Sequence, residues 1–446
     1  MRRPGHWQLR STLGVFTGAL VLSASGIAVT ATAAQASTGP VSATPVSGTP
    51  QLAPTGSTEQ ITQLVQCGGT MYAVGSFTSI SQGGTTYTRN NAFSFSATSP
   101  YAVTSWNPNV NGRVNTIAFS GSNCSQAYLG GKFTSVDGTS VQNLAEVSTS
   151  TGAVNQAFGH NANGQVNTML VTGSHVLTGG FFTSINGTAR NYYSSLNVVT
   201  GRDDGYLWLG LGGNYQYSGV VPNSTNIASQ QLSHAGRRLL VEGDFTSAGG
   251  RPHQQIFMLY LGSPRATVTG WNPTVFNTHC VTKHPFYVKA AAWSPTDNTV
   301  YTATTGDHTY LWNGTFPQTT PCDTVAAFPA TQESVIREWT NYAGCDSLFS
   351  VAADTSTVYA GGHERWANNA SGCNNAGPGA ISAPGMGGFS PTSGALTFNP
   401  TRARGLGADD MMLTTAGLWI ASDNLGGANT CGGVSGHAGI CFLPYS

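Results

Sequence analysis

The sequence predicts an all-β fold assembled from repeated four-stranded antiparallel sheets. Three observations carry that prediction. A Gly-x-Phe phrase recurs after strand-like runs, charged residues make up only 8% of a chain holding 57 glycines, and no stretch repeats a charged face at the period of an amphipathic helix. Short apolar runs separated by Gly, Ser, Thr and Asn read as strands and turns.

The chain opens with Arg2, Arg3 and Arg10, runs through an apolar stretch from Leu13 to Val29 and reaches small residues at Ala34 and Ala36. Such an order predicts a secretory signal peptide over 1–36, cut after Ala36. The arginine pair is followed by "PGHWQ" rather than by apolar residues, which fits a general export signal better than a twin-arginine one. No other run reaches the roughly eighteen apolar residues of a membrane span. Residues 37–446 carry 15 Lys and Arg against 18 Asp and Glu, a formal charge of −3. That balance argues against nucleic acid or an anionic membrane surface as partner.

Aligned on itself, the chain shows its unit most clearly in "GRVNTIAFSGSNCSQAYLGGKFTSVDGTSVQNLAEVSTSTGAV" from Gly112 and "GQVNTMLVTGSHVLTGGFFTSINGTARNYYSSLNVVTGRDDG" from Gly164. Within the first copy, "VNTIAF" is a strand, "GSNC" a turn, "AYLGGKF" a second strand, "SVDGTS" a loop, "LAEVS" a third strand, "STSTG" a turn and "AVNQAF" a fourth strand. The glycine before x-Phe falls at 75, 131, 180 and 243. Further on, "TVYTATTGD", "TVYAGGHERW" and "GLWIASDN" hold the same second-strand place. A second mark, "SWNP" at Ser105, "GWNP" at Gly270 and "TFNP" at Thr397, closes fourth strands, where proline does least harm. Seven units of about 59 residues result.

A single four-stranded sheet cannot bury both faces, so copies must pack face to face. Seven such sheets arranged radially predict a seven-bladed β-propeller; a stacked solenoid would use shorter repeats. The last unit stops at "GICFLPYS" after a third strand, whereas residues 37–59 form a surplus segment before the first unit. The expectation is a ring closed by pairing of the N- and C-terminal strands, which removes two exposed edges. The domain division is therefore a signal peptide over 1–36, a closing segment over 37–59 and a propeller over 60–446. The inserts around "YLWLGLGGNYQYSGVVPNSTN" and "FNTHCVTKHPFYV" blur the boundaries between 205 and 330.

The phrases "LGGKFTSVDGTSVQNLAEVSTSTGAV" and "YAGGHERWANNASGCNNAGPGAISAPGMGGFSPTSGALTFNP" resemble the secreted bacterial β-propellers with delta-60-type repeats, over roughly residues 60–446. The resemblance implies the propeller fold and export, and no particular reaction.

Propeller ligands bind where loops converge. Arg89, Arg190 and His253 end the loops after the second strands of units one, three and four and are candidates for an anionic group; Val141 holds the same place in unit two, and hydrogen bonds to their own loops are the plainer role. In unit six the phrase changes to "GGHERW", placing a possible base, an acid, a cation and an aromatic platform at His363, Glu364, Arg365 and Trp366. Successive strand residues face opposite ways, so His363 and Glu364 are not expected to converge, and a Glu364–Arg365 structural pair or a Trp366 packed between sheets is the plainer alternative. Glycoside hydrolysis needs paired carboxylates; Asp137, Glu242, Asp244, Asp307, Glu364, Asp409, Asp410 and Asp423 are candidates that spacing does not pair. No Gly-x-Ser-x-Gly elbow, His-Glu-x-x-His site or calcium-loop spacing occurs, so no catalytic residue, metal or cofactor is assigned. Trp106 and Trp271 of the "WNP" marks are read as packing residues. Sequons stand at Asn123, Asn186, Asn223, Asn313 and Asn369.

Eight cysteines in an exported chain predict disulfides. Cys67 and Cys124 occupy the first turns of neighbouring units, Cys345 and Cys373 share a unit, as do Cys431 and Cys441, and Cys280 and Cys322 remain for each other. The whole reads as a secreted monomeric binding propeller for a carbohydrate or an extracellular protein. The alternative is an extracellular hydrolase or lyase acting on polysaccharide.

Overall fold

The computed structural model describes residues 39–446 apart from 122, 215–223, 279, 281–287, 307–320, 332, 334, 401, 403, 406 and 426–429. The signal segment 1–36, Asp307 and the sequons at Asn223 and Asn313 lie outside the described residues. The chain is all-β, with a single 3-10 turn at Thr274–Asn277 among the described residues.

Among the described residues, seven principal antiparallel sheets follow one another along the chain. Their first three strands are Gln60–Cys67, Thr70–Ser76 and Ala92–Ser96; Arg113–Ser120, Asn123–Lys132 and Leu144–Ser148; Val166–Thr172, His175–Gly180 and Tyr193–Asn197; Asn226–Leu232, Arg238–Asp244 and Ile256–Tyr260; Val288–Trp293, Thr299–Thr304 and Thr324–Pro329; Leu348–Ala353, Val358–Gly362 and Met386–Phe389; and Asp410–Thr414, Gly417–Ala421 and Ile440–Pro444. Sheets four, five and six add a fourth strand at Thr267–Val268, Trp339–Tyr342 and Leu396–Phe398. In sheets one to three the expected fourth strand contracts to one bridge each, Phe95–Val103, Val147–Val154 and Leu196–Asp203. Alongside the last strand, Ser42 donates its amide to Pro444 O (2.7 Å) and Val46 donates to Phe442 O (3.1 Å).

First strands touch in cyclic order: each packs against the first strand of the next sheet, and Asp410–Thr414 packs against Gln60–Cys67. The apolar side chains sort into seven clusters, each drawn chiefly from two consecutive sheets, including one that joins Trp419 and Phe442 to Phe77, Phe93 and Phe95. The core therefore lies between sheets rather than within one, the packing that half-buried sheets require.

The recurrent phrase has a steric cause. A Cβ at Gly75, Gly131, Gly180, Gly243 or Gly362 would stand 2.0–2.2 Å from a carbonyl oxygen of the neighbouring first strand, so only glycine permits the approach. Two residues later Phe77, Phe133, Phe182 and Phe245 are at most 2% exposed and fill the intersheet clusters. Trp106 and Trp271 are buried, and their indole N–H groups donate to Ser148 O (3.0 Å) and Pro329 O (2.9 Å) of the following sheet.

Disulfides join Cys67 to Cys124, Cys280 to Cys322, Cys345 to Cys373 and Cys431 to Cys441. The first ties sheets one and two at their first turns; the others act within a unit or its insert.

Candidate binding face at the hairpin ends of sheets five to seven

After the second strand, sheets one, two, three, four, six and seven carry a small hairpin, for example Ser79–Gln82 with Thr85–Thr88 and Trp366–Ala367 with Ile381–Ser382. The segment leading into the same unit docks on that hairpin: Gln51–Leu52 pairs with Ile80–Ser81, and Val110 and Ala162 bridge to Val136 and Ile185. Both kinds of connection thus share one end of the sheets, where function-bearing loops gather.

The first strands of sheets one to six reach that end through a one-residue register slip. The slip falls at Thr62, Asn115, Asn167, Ala228, Lys289 and Phe349, and in the seventh unit Asp409 donates its amide to Ala421 O while Asp410 pairs with Ala421. Bulges re-aim side chains. Here three of them span to the next sheet: Thr62 Oγ1 donates to Val114 O (2.8 Å), Asn115 Nδ2 to Val166 O (2.8 Å) and Asn167 Nδ2 to Ile227 O (2.7 Å). In sheets five to seven the same position holds a cation, an aromatic ring and an acid instead. Lys289 Nζ stands 6.0 Å from the centroid of the Phe349 ring, whose other neighbour is the His363 imidazole at 5.1 Å. Burial, with Lys289 and Arg113 pulling the other way, pushes the Asp409 carboxyl up to about 7, and Gln60 Nε2 donates to it.

Beside this row, Asp346 Oδ1 receives Arg365 Nη2 and Arg404 Nη2, each at 3.1 Å. Arg404 Nε donates to His363 O (2.6 Å), and Arg365 Nη1 donates to Asn374 O (2.8 Å) in the loop fastened by Cys345–Cys373. Both guanidinium groups keep about a third of their surface open. Burial holds the His363 imidazole below its ordinary range, with Asp346 opposing and Arg404 and Arg365 reinforcing the shift. The result is a rim of two cations, a neutral imidazole and an ammonium on a phenyl ring.

Glu364 goes the other way. It stands two residues after Gly362, the register of Phe77, Phe133, Phe182 and Phe245, and is 3% exposed. Arg365 takes Asp346 as its ion-pair partner, rather than Glu364. Both Glu364 carboxyl oxygens lack a hydrogen-bond partner; the Gly362 and Glu364 amides lie near without hydrogen-bond geometry. Burial raises this carboxyl to about 8, tempered by Arg402. A glutamate fills less space than phenylalanine, and a small, partly open gap with room for about one water molecule remains between sheets five and six, lined also by Trp366, Asn341, Leu348 and Phe389. The Trp366 indole N–H is buried and unpartnered as well.

The other basic candidates stand apart in their own units. Arg89 donates to Thr88 O (2.9 Å) and Thr104 O (3.0 Å), Arg190 makes two hydrogen bonds to Asp203 (2.7 and 2.8 Å), and His253 is buried. Of the carboxylates, Asp410 accepts the Leu64 amide (2.9 Å), Asp423 accepts the amides of Gly407 and Leu425, Glu242 accepts Ser229 Oγ (2.6 Å), Asp244 is buried and Asp137 is exposed in a left-handed turn. Asn123 is exposed, whereas Asn186 and Asn369 are engaged in loop hydrogen bonds. Sequence reading missed Asp346, Arg404, Lys289 and Phe349. The bulge column, visible as the asparagine shared by "VNTIAF" and "VNTMLV", is the signal that finds Lys289 and Phe349.

Among the described residues no helix is long and apolar enough to cross a membrane. No family model and no curated protein sequence matches the chain. Similar solved structures include BamB from Moraxella catarrhalis, at 13% identity and a TM-score of 0.46 over 90% of this chain and 99% of that one. The WD40 β-propeller domain of Doa1 matches at 10% identity and a TM-score of 0.43, over 84% of this chain and 94% of that one. The computationally designed Ika8 protein matches at 9% identity and 0.46, over 91% and 99%.

Proposed function

We propose that the protein is a secreted, non-catalytic binding module, a seven-bladed propeller of delta-60-type repeats closed by its N-terminal segment, with a glycan or extracellular protein bound on the hairpin face of units five to seven. The cyclic contact of the seven first strands and the bonds from Ser42 and Val46 to the last strand support the ring. Four disulfides suit an oxidising compartment.

One observation carries the binding site. Where other units repeat scaffold residues, unit six and its neighbours place Lys289, Phe349, His363, Arg365 and Arg404 around one rim. A repeated position solves a repeated packing problem; a departure confined to one sector marks a task specific to it. The hydrolase or lyase alternative needs two carboxylates opposed across an open site. Glu364 instead enters an intersheet pocket, and Asp410 is engaged by the Leu64 amide.

A glycan-array screen of residues 37–446, run beside a Lys289→Ala/His363→Ala variant of unchanged melting temperature, tests the reading. Ligands retained by the parent and lost by the variant support this face. Retention unaffected by the double change moves the site elsewhere.

A further inference from the structure

Three charged side chains at one end of the first strands belong to sheets that are not neighbours. Arg113 opens the first strand of sheet two, Lys289 sits at the bulge of sheet five and Asp409 precedes the first strand of sheet seven. Two sheets separate Arg113 from Lys289 along one arc and three along the other, yet each cation acts on the other's charge and both act on Asp409. Residues so placed meet only across the axis that the first strands surround. Their surroundings agree: Arg113 and Lys289 are exposed, while burial holds the Lys289 ammonium below its ordinary range, with Asp409 opposing and Arg113 reinforcing the shift. Open surface within such an enclosure belongs to a solvent-filled channel.

The polar atoms there are assigned, except on the two cations. Arg113 Nε donates to Asn115 Oδ1 (3.0 Å), and Asn115 Nδ2 is fixed to Val166 O (2.8 Å). Gln60 Nε2 holds Asp409 Oδ2. Among the described residues no carboxylate lies within ion-pair distance of Arg113 or Lys289, and no acceptor engages the Arg113 terminal nitrogens or Lys289 Nζ. Asp409 is a weak counter-ion, because burial pushes its carboxyl up to about 7 and leaves it only partly charged near neutral pH. Two like charges beside a partly charged acid favour an added anion. A guanidinium fork matches the planar edge of an oxyanion, and an ammonium supplies a point charge beside it. A cation would meet repulsion, and a neutral ligand would leave both charges unmatched.

We infer that the channel axis at the bulge end is an oxyanion site, in which Arg113 and Lys289 clasp a carboxylate, sulfate or phosphate group beside Asp409. The site shares Lys289 with the rim proposed above and goes beyond that reading.

Isothermal titration calorimetry of residues 37–446 with glucuronate, inorganic sulfate and inorganic phosphate tests the site, with glucose as the uncharged control. At least one oxyanion should bind where glucose does not, and the one that binds tells an acidic sugar from a free inorganic anion. Arg113→Gln and Lys289→Met, each checked for the parental melting temperature, should weaken that binding about tenfold or more, the scale of a lost charge-assisted hydrogen bond. Arg237→Gln removes an exposed cation from the opposite end of sheet four and should leave it unchanged. Asp409→Asn removes the competing charge, keeps a polar amide and should tighten binding about threefold, which a merely structural trio would not do. No oxyanion bound at millimolar concentration, binding that survives both axial variants, an equal loss in Arg237→Gln, or no gain in Asp409→Asn each overturns the site. Array ligands lost with Lys289→Ala/His363→Ala while no oxyanion binds would remove the axial site and leave the binding face. Oxyanion binding beside a blank array would do the reverse.

Discussion

Glu364 occupies a place that four other units give to a buried phenylalanine, and the substitution has a thermodynamic signature. Folded, its carboxyl keeps the proton to about pH 8; unfolded, it returns to the ordinary 4.5. Between those values the unfolded chain binds fewer protons than the folded one, so stability falls as pH rises from about 4.5 to 8 and levels off above. Glu242 and Asp409, each raised to about 7 by burial, add to the fall over the lower part of the window. Urea midpoints measured across that range should decline in the parent and decline less in Glu364→Gln; parallel curves would clear Glu364 of the effect. Glu364→Phe should be more stable than the parent near neutral pH by about 2 kcal/mol or more, since it removes an unmet buried acid and adds buried apolar area. A variant equal to or weaker than the parent in the same titration would show that the pocket has no room for the ring.

Within each unit the first two strands form the element that fixes the rest, and two contacts there make measurable claims. The Gly131 position faces Arg113 O so closely that a Cβ would lie 2.2 Å from it. Gly131→Ala should therefore cost about 2–3 kcal/mol through forced strand separation, whereas Gly138→Ala, where nothing lies within 4 Å but φ is +74°, should cost only about 1 kcal/mol from backbone strain. Paired denaturant melts that rank the two equally would reject the close-approach account. Asn167→Ala, which leaves Ile227 O of the next sheet without this donor, should lower stability by about 1–2 kcal/mol. This element was legible in the sequence because its constraints repeat: the glycines, the buried Phe and the strand lengths recur whenever the same backbone approach recurs. The fourth strands were less legible. In units one to three they hold to the sheet by single bridges at Val103, Val154 and Asp203, and one bridge leaves no alternation to detect. The rim was least legible, since Lys289, Asp346, His363 and Arg404 come from separate segments and meet only through the cyclic packing of sheets. "GGHERW" flagged the sector, and strand alternation already set its glutamate facing away from its histidine, but pairing Glu364 with Arg365 or packing Trp366 between sheets left the glutamate's place in the phenylalanine register unseen.

At the scale of the whole molecule, the proposed ring depends on what joins the seventh sheet to the first. Two sets of contacts cross that junction. The first strands meet directly, with the Leu64 amide donating to Asp410 Oδ2 (2.9 Å) and the aromatic cluster of Trp419, Phe442 and Phe95 between the sheets. The N-terminal segment then lies along the seventh sheet: Ser42 and Val46 bond to its last strand, the Val41 amide donates to the Tyr359 hydroxyl (2.9 Å), and Leu52 donates to Ala438 O (2.9 Å). Tyr359 in turn donates to Asp354 Oδ2 (3.1 Å), which also receives the Tyr445 hydroxyl (2.8 Å), so residues 41, 354, 359 and 445 form one latch. Removing residues 37–48 strips Val41 and Val46 from apolar surroundings and leaves the last strand unpaired along one edge. One buried and one partly buried valine and the lost hydrogen bonds amount to a few kcal/mol, which for a domain of this size lowers the melting temperature by about 4 °C. An exposed edge also seeks a partner, so the truncated protein should form dimers or larger species while residues 37–446 remain monomeric. Differential scanning calorimetry and light scattering after size exclusion separate the two effects. A truncated chain that melts with the parent and stays monomeric would mean that the direct junction of first and seventh sheets closes the ring without the segment. A lower melting temperature without association would assign the segment to core packing alone, with the bare edge protected by its own twist.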